Sequence, residues 1–304
     1  MLSFQVLDRQ SERAFLPYRD SWVFGDHAFS MFYAWQRSYS YTWTRLGRDL
    51  AVLEQDQKGL PRFTLFRADP AGSPRESLAA LADYARSSGA PRMYLDYIPK
   101  AQVPDYLRAA EALGLPGRPY FETRYSDYIY ERNSFISLRG DRQKGIRGNV
   151  NYLLRTVPAL HFEAYRPELL ADCVTIFDHW CENYDCGKCF FGCERTAFLR
   201  FMQIYHPERC FAGLTYDGSE PLSFAVGERL PGNMYCFYFQ KNARQVRGLT
   251  YYLERELAIR QPEDSIINLA EDMGLQGIRQ DKQQLHPTGM LHKYTIELTL
   301  EATL

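Results

Sequence analysis

The clearest pattern lies in the second half of the chain. Leu160 to Tyr165 alternates apolar and polar positions as a strand does, and Leu169, Cys173, Ile176, Phe177, Trp180 and Tyr184 then recur at helical spacing. A second helix is expected over Glu194 to Tyr205, where Phe198, Phe201, Met202 and Tyr205 share one stripe and Pro207 ends the segment. Three strands follow, Cys210 to Tyr216, Pro221 to Leu230 and Met234 to Gln240, joined by turns at Asp217-Gly218 and Pro231-Gly232. A glycine-containing loop over Gln245 to Thr250 leads into a helix whose Leu249, Tyr252, Leu253 and Leu257 form one face. A short buried strand (Ile266 to Ala270), a helix (Leu275 to Leu285) and a closing strand (Met290 to Leu298) complete this half.

The first half gives the same order. Strands are expected near Ser38 to Leu46, Leu50 to Gln55 and Arg62 to Arg67, then a helix over Arg75 to Arg86 and a strand over Met93 to Tyr97. A helix over Val103 to Leu113 and one long strand from Tyr120 to Tyr130 follow. The turns at 47 and 217, the strand starts at 93 and 266, and the helix starts at 103 and 275 are displaced by 170, 173 and 172 residues. So constant an offset, with few matching identities, predicts a structural duplication. The expected divisions are residues 1–138, a basic connector helix over 139–157, and residues 158–304. Arg139, Arg142, Lys144, Arg147 and Arg155 stand in the connector against Asp141, which fits either a solvated helix or a site for a donor's phosphates.

Composition narrows the class. The 304 residues, 45 % hydrophobic, suffice for two ordinary cores, and a formal net charge of −1 gives no global attraction to nucleic acid or anionic lipid. No run approaches the roughly 20 apolar residues of a membrane span, and early charges from Asp8 to Arg13 leave no signal-like segment, so a soluble cytoplasmic protein is expected. Seven cysteines, an odd number, suit reduced thiols. Cys181, Cys186, Cys189 and Cys193 match no common four-cysteine metal framework, and the expectation is that they hold no metal. No Gly-x-Ser-x-Gly, His-Glu-x-x-His or P-loop motif occurs, which removes support for serine hydrolase, zinc peptidase and nucleotide-hydrolase chemistry.

Strand, two helices, a three-stranded meander, a glycine loop into a helix, strand, helix, strand is an order that resembles GNAT-type acyltransferases. The resemblance implies an α/β (α+β) fold of two tandem GNAT-like domains, with mixed, mostly antiparallel sheets flanked by helices. In that family a Gln/Arg-x-x-Gly-x-Gly/Ala loop turns its N–H groups toward the donor's pyrophosphate. Here Gln245, Arg247, Gly248 and Thr250 occupy those positions, with Thr in place of the final small residue. A side chain at Gly248 is then expected to obstruct the donor while leaving the fold intact. In the first half the corresponding segment, Ala68 to Pro74, carries Asp69 and two prolines, and this copy is expected to be degenerate.

The segment Ile267 to Arg279 with Lys282, His286-Pro287 and Lys293-Tyr294, together with Phe224 to Leu230, is similar to the phosphatidylglycerol lysyltransferase C-terminal domain family. That resemblance implies transfer of an acyl or aminoacyl group, with acyl-CoA or aminoacyl-tRNA as donor substrate and tRNA as a partner. It implies no tightly bound cofactor. Such transfer needs a base, oxyanion donors and an acid, but no covalent nucleophile. Alternation along Leu222, Phe224, Val226, Glu228 and Leu230 puts Glu228 on an apolar face unless a bulge at Gly227 swings it out, so Glu228 is the expected base. Asp272 and Tyr294 complete the expected catalytic set, and Asn268, Glu271, Arg279 and Lys282 the substrate-binding one. Asp272 serves equally as a helix cap, and Tyr294 as packing. A non-catalytic ligand-binding or regulatory module that keeps the fold is the alternative, and the sequence fixes neither the acceptor nor the oligomeric state.

Overall fold

The computed structural model describes residues 2–182 and 192–300. They form two compact units. One holds the chain up to Ser126, Leu199–Ile204 and the residues from Leu291 onward, and the other holds Asp127–Phe198 and Tyr205–Met290. Among the described residues no helix is long and apolar enough to cross a membrane.

The first unit comprises β1 (Gln5–Val6), α1 (Glu12–Phe15), α2 (Phe29–Tyr39), β2 (Thr42–Leu46), β3 (Asp49–Gln55), β4 (Pro61–Phe66), α3 (Arg75–Ser87), β5 (Arg92–Ile98), α4 (Val103–Glu111) and β6 (Gly117–Tyr120). The strand expected from Ser38 begins at Thr42 because α2 runs to Tyr39 and is closed by Ser40 at φ +52°. Leu78, Leu81, Ala82 and Ala85 recur at helical spacing on α3 and are buried with Phe63, Leu95, Ile296 and Leu298 in one core.

The second unit comprises β7 (Asp127–Glu131), α5 (Arg132–Ile136), α6 (Lys144–Thr156), β8 (Leu160–Ala164), α7 (Leu170–Glu182), α8 (Glu194–Gln203), β9 (Cys210–Asp217), β10 (Glu220–Leu230), β11 (Met234–Asn242), α9 (Leu249–Ile259), β12 (Ile266–Asn268), α10 (Gln276–Gln284) and β13 (Gly289–Leu291). The last five residues of α8 group with the first unit. The basic connector is not a solvated link: α6 is amphipathic and buries Ile146, Val150 and Leu153 within this unit.

Each unit is built on a seven-stranded sheet. In the first the order is β1-β2-β3-β4-β5-β14-β6, where β14 is Tyr294–Thr299, and in the second it is β13-β7-β12-β11-β10-β9-β8. In each, one central pair is parallel (β4 with β5, β11 with β12), and every other pairing whose register is known is antiparallel. The chain thus carries the expected α/β fold, two mixed, mostly antiparallel sheets flanked by helices. The strands expected over Tyr120 to Tyr130 and Met290 to Leu298 are each broken in two, at the turn Thr123–Tyr125 and after Leu291. The second piece of each then changes sheet. β7 lies between β12 and β13, and β14 between β5 and β6, so the sheets do not follow a single cut of the chain at 138.

Candidate functional site

In the second unit the parallel ladder of β11 and β12 has three rungs, Met234 with Ile266, Tyr235 with Ile267 and Cys236 with Asn268. β11 continues to Asn242 while β12 ends at Asn268 and its chain turns away. The two strands therefore part at their carboxyl ends, where α/β folds commonly open a site.

The residues after Asn268 turn sharply, with positive φ at Ala270 (+58°), Met273 (+53°) and Gly274 (+80°). Two side chains cause the turn: Asn268 Oδ1 accepts the N–H of Ala270 at 2.7 Å, and Asp272 Oδ1 accepts that of Gly274 at 2.7 Å. The strand therefore ends at Asn268, two residues short of the expected Ala270. Lys282 Nζ on α10 holds the same loop by donating to the carbonyls of Leu269 and Glu271, each at 2.6 Å.

Glu228, Cys236 and Asn268 occupy one cross-strand row at the level where the ladder ends. Paired residues share a face, so their side chains stand on the same side of the sheet. Glu228 is 2 % exposed, while its neighbour Arg229 is exposed. The register does shift between Val226 and Gly227, but the extra residue is Tyr238 on β11, so the bulge leaves Glu228 on its buried face. Gly227 is required there, since a Cβ would lie 1.9 Å from the Cys236 carbonyl oxygen. Asn268 is also buried and donates from Nδ2 to Asp127 Oδ2 at 2.9 Å.

Asp272 is fully buried and saturated. Besides Gly274 it accepts the Tyr128 hydroxyl at 2.7 Å and two bonds from Arg279, Nε at 2.9 Å and Nη2 at 3.0 Å. The Arg279 guanidinium, with smaller help from Tyr128 and the Gly274 N–H, outweighs desolvation and holds the carboxyl at about 2. A carboxylate this acidic is a weak base, and its geometry is that of a residue that shapes the loop. Arg279 and Lys282 are likewise engaged with Asp272 and the loop carbonyls. Tyr294 stands in the other sheet, on β14, against Phe121 with ring centroids 5.0 Å apart.

Gln245, Arg247 and Thr250 are exposed at the start of α9. Gly248 has φ +88°, and a Cβ there would stand 2.5 Å from the Asn149 carbonyl oxygen of α6. The glycine is thus demanded by the close approach of α6, contrary to the expectation that a side chain would disturb only the donor. Arg247 Nε donates to Asn149 Oδ1 at 2.5 Å, and Thr250 Oγ1 accepts from Asn242 Nδ2 at 2.9 Å. No side chain caps α9, and the N–H groups of Thr250 and Tyr251 take no backbone acceptor among the described residues.

One group escapes the sequence pattern. Glu254 on α9 is 6 % exposed, its Oε2 has no hydrogen-bond partner among the described residues, and desolvation pushes its carboxyl up to about 8 against the lowering effects of Lys282 and the Gln240 amide. Its signal is positional, because Glu254 falls at i+3 from Tyr251 and i−4 from Ala258, both buried. Of the cysteine cluster, Cys181 is half-buried and Cys193 exposed, while Cys186 and Cys189 lie outside the described residues.

Family and fold resemble those of acyltransferases and support a protein of that general kind. The chain belongs to the phosphatidylglycerol lysyltransferase C-terminal family, which matches residues 23–297. Among solved structures, a conserved protein of unknown function from Bacteroides thetaiotaomicron superposes with a TM-score of 0.85 at 19 % identity, covering 98 % of this chain and 100 % of that one. L-PGS from Bacillus licheniformis gives 0.66 at 13 % identity, covering 99 % and 94 %. The C-terminal domain of a putative lysylphosphatidylglycerol synthetase from Agrobacterium fabrum gives 0.64 at 14 % identity, covering 96 % and 92 %. No curated protein sequence matches the chain.

Proposed function

We propose that this protein is an acyl- or aminoacyltransferase whose second unit receives the activated acyl group at the opening between β11 and β12. The observation that carries the proposal is the buried Glu228 in the row where that ladder ends. An acceptor amine or hydroxyl attacks the donor's carbonyl carbon, Glu228 takes the proton from the attacking atom, and the bond from that carbon to the donor's oxygen or sulfur breaks. The leaving group departs as a hydroxyl or thiol once it regains a proton. Asn268 and the loop from Leu269 to Leu275 form the far wall, and the Asp272–Arg279 pair keeps that wall in shape.

Of the two donors, an aminoacyl ester on tRNA is favoured. The family's name speaks of lysyl transfer, and the approach of α6 to Gly248 takes space beside the loop that a pyrophosphate cradle would use. The test is to offer the protein a pool of charged tRNAs with labelled amino acids, and separately acetyl-CoA, with a panel of amine and hydroxyl acceptors. Protein-dependent transfer from charged tRNA is expected. Glu228→Gln should slow it by about 10²–10⁴-fold with donor affinity retained. A parent protein that binds and consumes neither donor would establish the binding-module alternative instead.

A further inference from the structure

In the first unit the parallel pair β4 and β5 also has three rungs, Arg62 with Tyr94, Phe63 with Leu95 and Thr64 with Asp96. Past the last rung lies a narrow cleft lined by His27, Arg67, Pro70, Tyr97, Gln102 and Tyr106 among others. Two of these groups are buried without the partners they need. His27 is 4 % exposed and stacked on Phe66 with ring centroids 4.5 Å apart, and neither of its ring nitrogens has a hydrogen-bond partner among the described residues. Arg67 is 5 % exposed and makes no ion pair within 4.0 Å among the described residues. Its Nη1 and Nη2 donate to the carbonyls of Pro70 at 3.1 Å and Gly72 at 2.7 Å, which fixes the guanidinium plane and leaves Nε unpartnered. Tyr97 beside them holds φ +57°, a conformation that bulky residues adopt only under constraint.

A buried guanidinium N–H without an acceptor and a buried imidazole without a hydrogen bond are both costly, and one ligand relieves both. We propose that this cleft binds a small carboxylate, one oxygen on Arg67 Nε and the other on a ring N–H of His27. Asp69 argues against a phosphate dianion, because its Oδ2 and Arg67 Nη2 lie 2.9 and 3.6 Å from the same point, where a Cβ on Gly72 would stand, and a carboxylate so near the guanidinium repels a dianion more than a monoanion.

The experiment titrates the ¹⁵N-labelled full chain with sodium acetate at constant ionic strength and follows the Arg67 Nε and His27 ring nitrogens. Saturable movement of both is expected, with a dissociation constant on the order of millimolar or tighter. His27→Phe keeps an aromatic ring on Phe66 and should bind acetate about tenfold more weakly, and Arg67→Gln should abolish saturation. If Arg67→Gln does not fold, His27→Phe and the parent titration decide. The proposal is overturned if neither resonance moves saturably, if inorganic phosphate binds as tightly as acetate, or if His27→Phe binds acetate like the parent.

Discussion

Asp272 and Arg279 meet in a two-point ion pair, Nε to Oδ2 at 2.9 Å and Nη2 to Oδ1 at 3.0 Å, with the carboxylate fully buried and the guanidinium side chain 41 % exposed. The pair fastens the loop after β12 to α10, so its loss should loosen the wall of the opening before it alters any chemical step. Because the Asp272 carboxyl is held at about 2, below its ordinary 3.8, its contribution to stability is complete above about pH 4 and lost as pH falls through 2. Asp272→Asn should therefore cost on the order of 1–3 kcal/mol at neutral pH, with the gap to the parent closing in acid. Urea unfolding at pH 7 and pH 2 checks this, and an equal gap at both would reject it.

Gly248 supports a prediction of a different kind. Its φ of +88° and the Asn149 carbonyl 2.5 Å from a would-be Cβ leave no room for alanine without moving α6. Gly248→Ala should destabilise by about 2–4 kcal/mol, with valine worse. Thermal unfolding shows this directly, and an unchanged midpoint would mean that α6 yields easily.

These two sites show what was legible in the sequence and what was not. Alternation along β10 placed Glu228 on a buried face because that period is local to one strand. The near-constant offset located the duplication for a similar reason: turns and strand starts leave marks in the chain. Partner identity leaves none. The patterns of β7 and β14 mark them as strands but not as members of the sheet built by the other half. The charges of Arg279 and Lys282 look like surface features until α10 is folded against the loop. Gly248 resembles a phosphate loop because close approach to a ligand and close approach to a helix demand the same residue.

The exchange of β7 and β14 makes the two halves of the chain dependent on each other. β14 contributes Ile296 and Leu298, both fully buried, to the core of the first unit. A fragment of residues 1–138 would lack β14 and carry β7 without β12, its partner at Ile129 to Glu131. Neither 1–138 nor 158–304 should fold when expressed alone, and Leu298→Ala in the full chain should cost about 2–5 kcal/mol. Cooperative unfolding of either fragment, followed by circular dichroism, would count against the interdependence.

Glu254 predicts how stability varies with pH on the alkaline side. Its carboxyl is raised by desolvation from 4.5 to about 8, so between these values the folded chain keeps a proton that the unfolded chain has released. Stability from this group is then greatest below about pH 4.5, falls as pH rises toward 8, and levels off above it. Glu254→Gln preserves the shape, retains an acceptor and a donor for the Gln240 amide, and cannot ionise. The variant should show a flatter profile than the parent from pH 5 to 8 and match or exceed its stability at pH 8.5, as measured by urea unfolding across that range. Parallel profiles would mean that Glu254 is ionised in the fold, with Lys282 compensating its charge.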